Sequence, residues 1–337
     1  MRTRSRLALT AAVLSTTLLL AACSGDDGEQ QASGGDPLQT VSGHELTSYW
    51  PLTGEPVAAD QTSERTHPVL VTKIDNSSSS SPQVGLGSAE LVVEQLVEGG
   101  TTRLAAFFYR DLPSEVGPVR SMRASDVGIV EPAGGSMVTS GGAAPTVARI
   151  RGAGIPILTE GSKGFYRASD RSAPYNLMAN LKDVGAASEP TRPPDYLPFG
   201  DAADNPQGKP ATSLSATFSP ARTSTWRFSG GAYDLTNGYA AAGDAFRADN
   251  VLVLKARVGD AGYLDPAGNP VPETIFQGSG DATLFSGGRA VSGTWSKDGF
   301  GGALRLSAGD DQPLVVPPGR TWIELIPANG GSVSFSK

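Results

Sequence analysis

Turn formers set the frame for this chain: 42 Gly and 25 Pro are spread through 337 residues with no collagen-like period. Both residues interrupt helix interiors, so a coiled coil or a bundle of long helices is excluded. Short strands with frequent reversals remain. Apolar residues at 39% suffice for a sizeable core, and charged residues at 18% are too few for a wholly disordered chain. The expected fold class is α+β. An N-terminal α/β domain with an Arg-rich cleft spans 45–190, and a mainly antiparallel β domain, sandwich or barrel-like, spans 212–337.

Apolar runs mark strands at His67–Asp75, Ala89–Val97, Arg103–Tyr109 and Ser136–Ser140, the second and third joined by a turn at Gly99-Gly100. Short helices are expected over Ser125–Glu131, Ala144–Ile150 and Tyr175–Val184. Residues 191–211, within a Pro-rich stretch, are expected to form a linker or a long covering loop. After it the helical signal fades, and short β-like runs recur from Ala216–Ser219 to Ser332–Phe335, among them Leu314–Val316. Trp226, Trp295 and Trp322 fall in such runs and are expected in the core.

The N-terminus reads as a processing segment. Arg2, Arg4 and Arg6 precede an apolar run from Leu7 to Ala22, too short for a membrane span and suited to a signal peptide covering 1–22. The run ends Leu20-Ala21-Ala22-Cys23, which resembles a bacterial lipobox, and Cys23 is the chain's single cysteine. Lipidation of Cys23, palmitate included, is therefore expected, with 23–44 as a flexible Gly, Ser and Asp-rich tether. The expected location is the extracytoplasmic face of the cell membrane. With one Cys and a net charge of −7, the external fold has no disulfide, and no nucleic-acid partner is expected.

Two His, His44 and His67, leave little room for triad or zinc chemistry, and no P-loop, HExxH or GxSxG motif occurs. What stands out is a polar constellation in the first half. Asp75 and Asn76 end an apolar strand, Glu94 and Glu98 follow in the next, and Arg103, Arg120, Arg123, Arg167, Arg171 and Asn176 come after. An isolated buried charge is costly, so two explanations stand side by side. The arginines pair with the acids to pin loops together, or spare guanidinium forks grip a carboxylate or phosphate. Interleaved Arg argues against a metal site on the same acids, and no cofactor is expected.

Several segments carry a family resemblance. Trp50-Pro51-Leu52-Thr53-Gly54-Glu55-Pro56-Val57, Ile74-Asp75-Asn76, Pro82-Gln83-Val84-Gly85-Leu86 and Val97-Glu98-Gly99-Gly100 come first. Gly117-Pro118-Val119-Arg120-Ser121, Ser292-Gly293-Thr294-Trp295-Ser296-Lys297 and Pro318-Gly319-Arg320-Thr321-Trp322-Ile323 follow. Together they resemble the YerB family of bacterial lipoproteins. The resemblance implies a two-part extracytoplasmic domain of unknown function and supplies no catalytic residue. One departure is Tyr175, which stands where His is expected in that pattern.

The leading functional expectation is non-catalytic. The anionic cell-envelope ligand or partner would be gripped by Arg103, Arg120 and Arg123 and oriented by Asp75 and Asn76, with Glu98, Arg167, Arg171 and Asn176 nearby. The alternatives are a cell-wall polymer hydrolase or transferase using Asp75 or Glu98 as acid or base, and a scaffold for envelope proteins.

Overall fold

The computed structural model describes residues 48–265, 268–309 and 312–337. The signal segment, Cys23, the tether and His44 lie outside the described residues. The first half supplies β1 (Leu70–Asn76), β2 (Leu91–Leu96), β3 (Thr102–Phe108), β4 (Ser136–Val138), β5 (Ile157–Leu158), β6 (Phe165–Arg167) and β7 (Leu177–Ala179). It also holds helices α1 (Asp126–Val130), α2 (Ala144–Gly152) and α3 (Leu181–Ala186). The second half continues with β8 (Lys209–Pro210), β9 (Ser213–Ser219), β10 (Arg222–Ser229), β11 (Ala232–Leu235), β12 (Arg247–Ala248) and β13 (Asn250–Leu264). It closes with β14 (Pro270–Ile275), β15 (Gly278–Ser286), β16 (Arg289–Lys297), β17 (Leu304–Ser307), β18 (Thr321–Pro327) and β19 (Ser332–Ser336).

One large mixed sheet runs β17-β16-β15-β13-β18-β2-β3-β1-β4-β5. Segments 45–190 and 212–337 therefore contribute to a common sheet, joined where β18 lies parallel to β2 with Leu91 opposite Thr321. The fold is mostly β, which corrects the α/β expectation for the first half. Its helices are short, and β2 turns straight back into β3 through residues 97–101 rather than crossing over through a helix.

The central strands read as continuous apolar runs because both faces of the sheet are covered. Val71, Val93, Ala105, Phe107, Leu252, Leu254, Ile323 and Leu325 alternate onto one face, packed with Ile129 and Val130 of α1 and Ile150 of α2. Leu70, Ile74, Val92, Leu104, Val251, Val253 and Trp322 alternate onto the other. There they meet Leu214, Ala216 and Trp226 of a second sheet ordered β12-β11-β10-β9-β19. Trp226, Trp295 and Trp322 are buried as expected, the first and third edge to face at 5.1 Å.

The Pro-rich stretch 191–211 is anchored. Tyr196 is buried, its hydroxyl donates to the carbonyl of Ile129 at 2.8 Å, and its ring meets Phe107 edge to face. Phe199 then pairs with Val316, so this stretch acts as a strap over one face of the sheet.

Candidate anion-binding site

β1, β2, β4, β13 and β18 point the same way, so their carboxyl ends share one rim. Asp75 and Asn76 end β1, Glu94, Gln95 and Glu98 lie at the end of β2, and Arg103 opens the returning β3 opposite Asp75. Crevices at such ends are habitual ligand sites in open parallel sheets. Because side chains alternate along a strand, the polar residues divide into two clusters, one on each face.

On the helix side sit Lys73, Asp75, Gln95, Arg103, Arg120, Arg123, Glu98 and Asp126. Arg120 reaches Asp75 at 2.7 Å, and Arg123 clasps Glu98 at 2.7 Å. Lys73, fully buried, pairs with Asp126 at 2.8 Å, and that carboxylate also accepts from Gln95 and from the backbone of Arg123. Arg103 is treated differently. Its nearest carboxylate oxygen belongs to Asp75, at 3.9 Å, and is the atom already held by Arg120. Its Nη1 donates to the carbonyl of Ser121 at 2.8 Å, while its buried Nε has no partner among the described residues. Burial, then the positive charges of Arg123 and Arg120, push the Arg103 pKa down to about 9. The cluster holds four cationic side chains against three carboxylates.

Arg120 also lies over the ring of Tyr175, its guanidinium carbon 4.9 Å from the centroid. Tyr175 lines a cleft of about 330 Å³ with Ser79, Ser81, Pro82, Asp170, Arg171 and Ser172. Arg171 is positioned there by the carbonyls of Pro82, at 2.8 Å, and Ser80, at 3.4 Å. Arg167 and Asn176 are engaged elsewhere. They bond each other at 2.7 Å on the exposed β6–β7 hairpin, where Arg167 also forks onto Glu160.

On the opposite face Asn76 turns away from the arginines and donates to Glu94 at 3.0 Å. Glu94 also accepts from Thr102, Ser224 and Arg222, the last at 2.8 Å. Next to it, in register across the β2–β18 pair, Glu324 accepts from the Trp226 indole at 2.8 Å. Burial and the adjacent Glu94 charge hold the Glu324 carboxyl well above the ordinary carboxylate range. A folded-state pKa above the unfolded value of 4.5 means that the folded chain binds the extra proton. Stability then falls as pH rises above that value. Glu324→Gln is expected to flatten this decline and raise the unfolding midpoint at pH 7, read by urea titration across pH 4 to 8. A parallel profile for the parent and the variant counts against it.

Of the residues singled out from the sequence, the structure brings Asp75, Glu98, Arg103, Arg120 and Arg123 into one cluster. Sequence reading missed Lys73 and Asp126, hidden inside an apolar strand and a short helix, and Arg222, which comes from the other half of the chain.

A mostly β protein with a sheet shared between its halves and an arginine cluster at the strand ends is the class that fold and site define. Models described as "Protein of unknown function (DUF3048)", N-terminal domain and C-terminal domain, match residues 52–193 and 214–323, well over half of the chain, and the chain belongs to this family. A segment of 73 residues is 42% identical to "Putative lipoprotein YerB" of Bacillus subtilis (strain 168), covering 22% of this chain and 21% of that protein. The match thus spans about a fifth of that relative's length. The crystal structure of YerB protein from Bacillus subtilis superposes with a TM-score of 0.70 at 21% identity, over 85% of this chain and 99% of that one. At that identity the likeness is one of fold. No helix among the described residues is long and apolar enough to cross a membrane.

Proposed function

We propose that this chain is a lipid-anchored, extracytoplasmic protein that binds an anionic ligand or partner of the cell envelope through the arginine cluster. Anchorage through Cys23 is supported by the Leu20-Ala21-Ala22-Cys23 signature and by the name that the Bacillus subtilis relative carries. The observation that carries the binding reading is Arg103. It is a buried guanidinium with one carboxylate at 3.9 Å, two neighbouring arginines and an unused Nε. A structural network would compensate such a charge. A site kept for a ligand tolerates the local disadvantage. An incoming carboxylate or phosphate would supply the missing negative charge and accept from guanidinium forks that Asp75 and Glu98 already orient. The same occupancy argues against acid–base catalysis by Asp75 or Glu98, since guanidiniums hold both carboxylates.

Arg103→Met is the decisive substitution. Titration of the parent with inorganic phosphate, followed by the amide shifts of Ser121, Arg123 and Ser140, is expected to saturate. The variant is expected to lose that response while unfolding at the same or a higher temperature. A variant that melts several degrees lower, beside a parent whose amides ignore phosphate, makes Arg103 plain architecture.

A further inference from the structure

The strands that end at the arginine cluster begin or end, at their other rim, around a second cavity. It measures about 490 Å³ and is lined by Thr66 and His67 ahead of β1, Ser88 ahead of β2, Arg110 to Pro113 after β3, and Lys182 and Ala186 of α3. Strands of six or seven residues separate the two rims by roughly 20 Å, so this cavity is no extension of the first site. The geometry points to a second binding site here, one for a phosphate-bearing ligand.

The lining is rich in unused donors. The Lys182 ammonium and the hydroxyls of Thr66 and Ser88 have no partner among the described residues. Arg110 is held in place by two carboxylates and keeps one nitrogen free among the described residues, so the unpaired positive charge of the lining is that of Lys182. The Arg110 Nη1 donates to Glu55 at 3.0 Å, its Nε stands 3.7 Å from Asp111, and its Nη2 is uncommitted. The Trp50 ring lies 5.5 Å from its guanidinium carbon. His67 is fixed through Nδ1, 3.0 Å from the carbonyl of Pro68, and adds a third nitrogen side chain. Asp111 is the single carboxylate of the lining, and its side chain is 80% exposed. Donors come from four separate backbone segments. That spread suits the oxygens of a tetrahedral oxyanion better than a planar carboxylate, which a single guanidinium fork satisfies. The remaining volume, with Leu112, Pro113 and Ala186 also in its lining, leaves room for the group esterified to the phosphate.

The test uses the full chain labelled with ¹⁵N, titrated with inorganic phosphate, with sn-glycerol 3-phosphate, and with phosphatidylglycerol vesicles. The amides of Ser88, Arg110 and Leu112 report. Saturable shifts with either soluble probe identify a free phosphate or phosphate monoester as the ligand, whereas shifts with vesicles alone identify a lipid headgroup. Both support the site. Lys182→Gln is expected to weaken binding about tenfold with an unchanged unfolding midpoint, because Lys182 holds no ion pair among the described residues. Arg110→Gln is expected to weaken it as well, and Arg103→Met to leave these amides responsive. No saturable shift with any of the three probes, or equal affinity in Lys182→Gln and the parent, overturns the proposal.

Discussion

Arg222→Ala is expected to remove about 3–5 kcal/mol of folding stability, the usual cost of stranding one member of a buried ion pair. Glu94 is fully buried and Arg222 nearly so, and their atoms meet at 2.8 Å. Asn76, Thr102 and Ser224 would still donate to the carboxylate, but none carries charge, and Glu324 sits beside it in register. The double variant Arg222→Met with Glu94→Gln is expected to recover most of the loss, because it removes both charges together. Urea unfolding at pH 7 reads both. A loss under about 1 kcal/mol is what a solvent-screened pair costs and would mean that water reaches this junction.

Asp126→Ala is expected to cost a similar 3–5 kcal/mol at pH 7, with a pH dependence that identifies its origin. Burial pulls the Lys73 pKa from 10.5 down to about 8 even with Asp126 in place. Between those values the unfolded chain binds more protons than the folded one, so parent stability rises with pH across that window. Without Asp126 the folded-state pKa drops further, and the penalty at pH 7 grows. Above about 10.5, where Lys73 is neutral in both states, the loss is confined to the hydrogen bonds from Gln95, Arg123 and the neutral Lys73 amine. The gap between variant and parent therefore narrows as pH rises. A gap independent of pH would assign the loss to packing rather than to the stranded ammonium.

These two pairs also mark what sequence reading reaches. The strands expected at Ala89–Val97 and Arg103–Tyr109 appear as Leu91–Leu96 and Thr102–Phe108, because apolar runs between turn formers carry local information. Helix Ala144–Ile150 is likewise present, as Ala144–Gly152. The helix expected over Tyr175–Val184 instead breaks at Asn180, whose side chain caps Lys182 and Asp183 while Leu177–Ala179 pairs with β6. Leu314–Val316 forms no strand, only the Val316 bridge to Phe199. The pairing of β2 with β18 has no local signature, which is why the shared sheet escaped the reading. The grouping of Asp75 with Arg120 and of Glu98 with Arg123 was within reach. Arg222 as the partner of Glu94 was not, since Arg222 lies on β10 and only the packing of the second sheet on this face brings it to the carboxylate.

That junction also sets the order in which the molecule is made. Leu91 finds its partner Thr321 only after more than two hundred further residues have emerged. Until then one side of β2 is an open hydrogen-bonding edge beside a strongly apolar strand, the kind of surface that templates aggregation. The first half, though it carries the arginine cluster, cannot close its sheet while the chain is still growing. Native structure waits for nearly the last strand, and loop closure on that scale makes folding slow. A chain released early is therefore a sticky, half-covered sheet, and a holding chaperone is most valuable to it in the interval before β18 arrives.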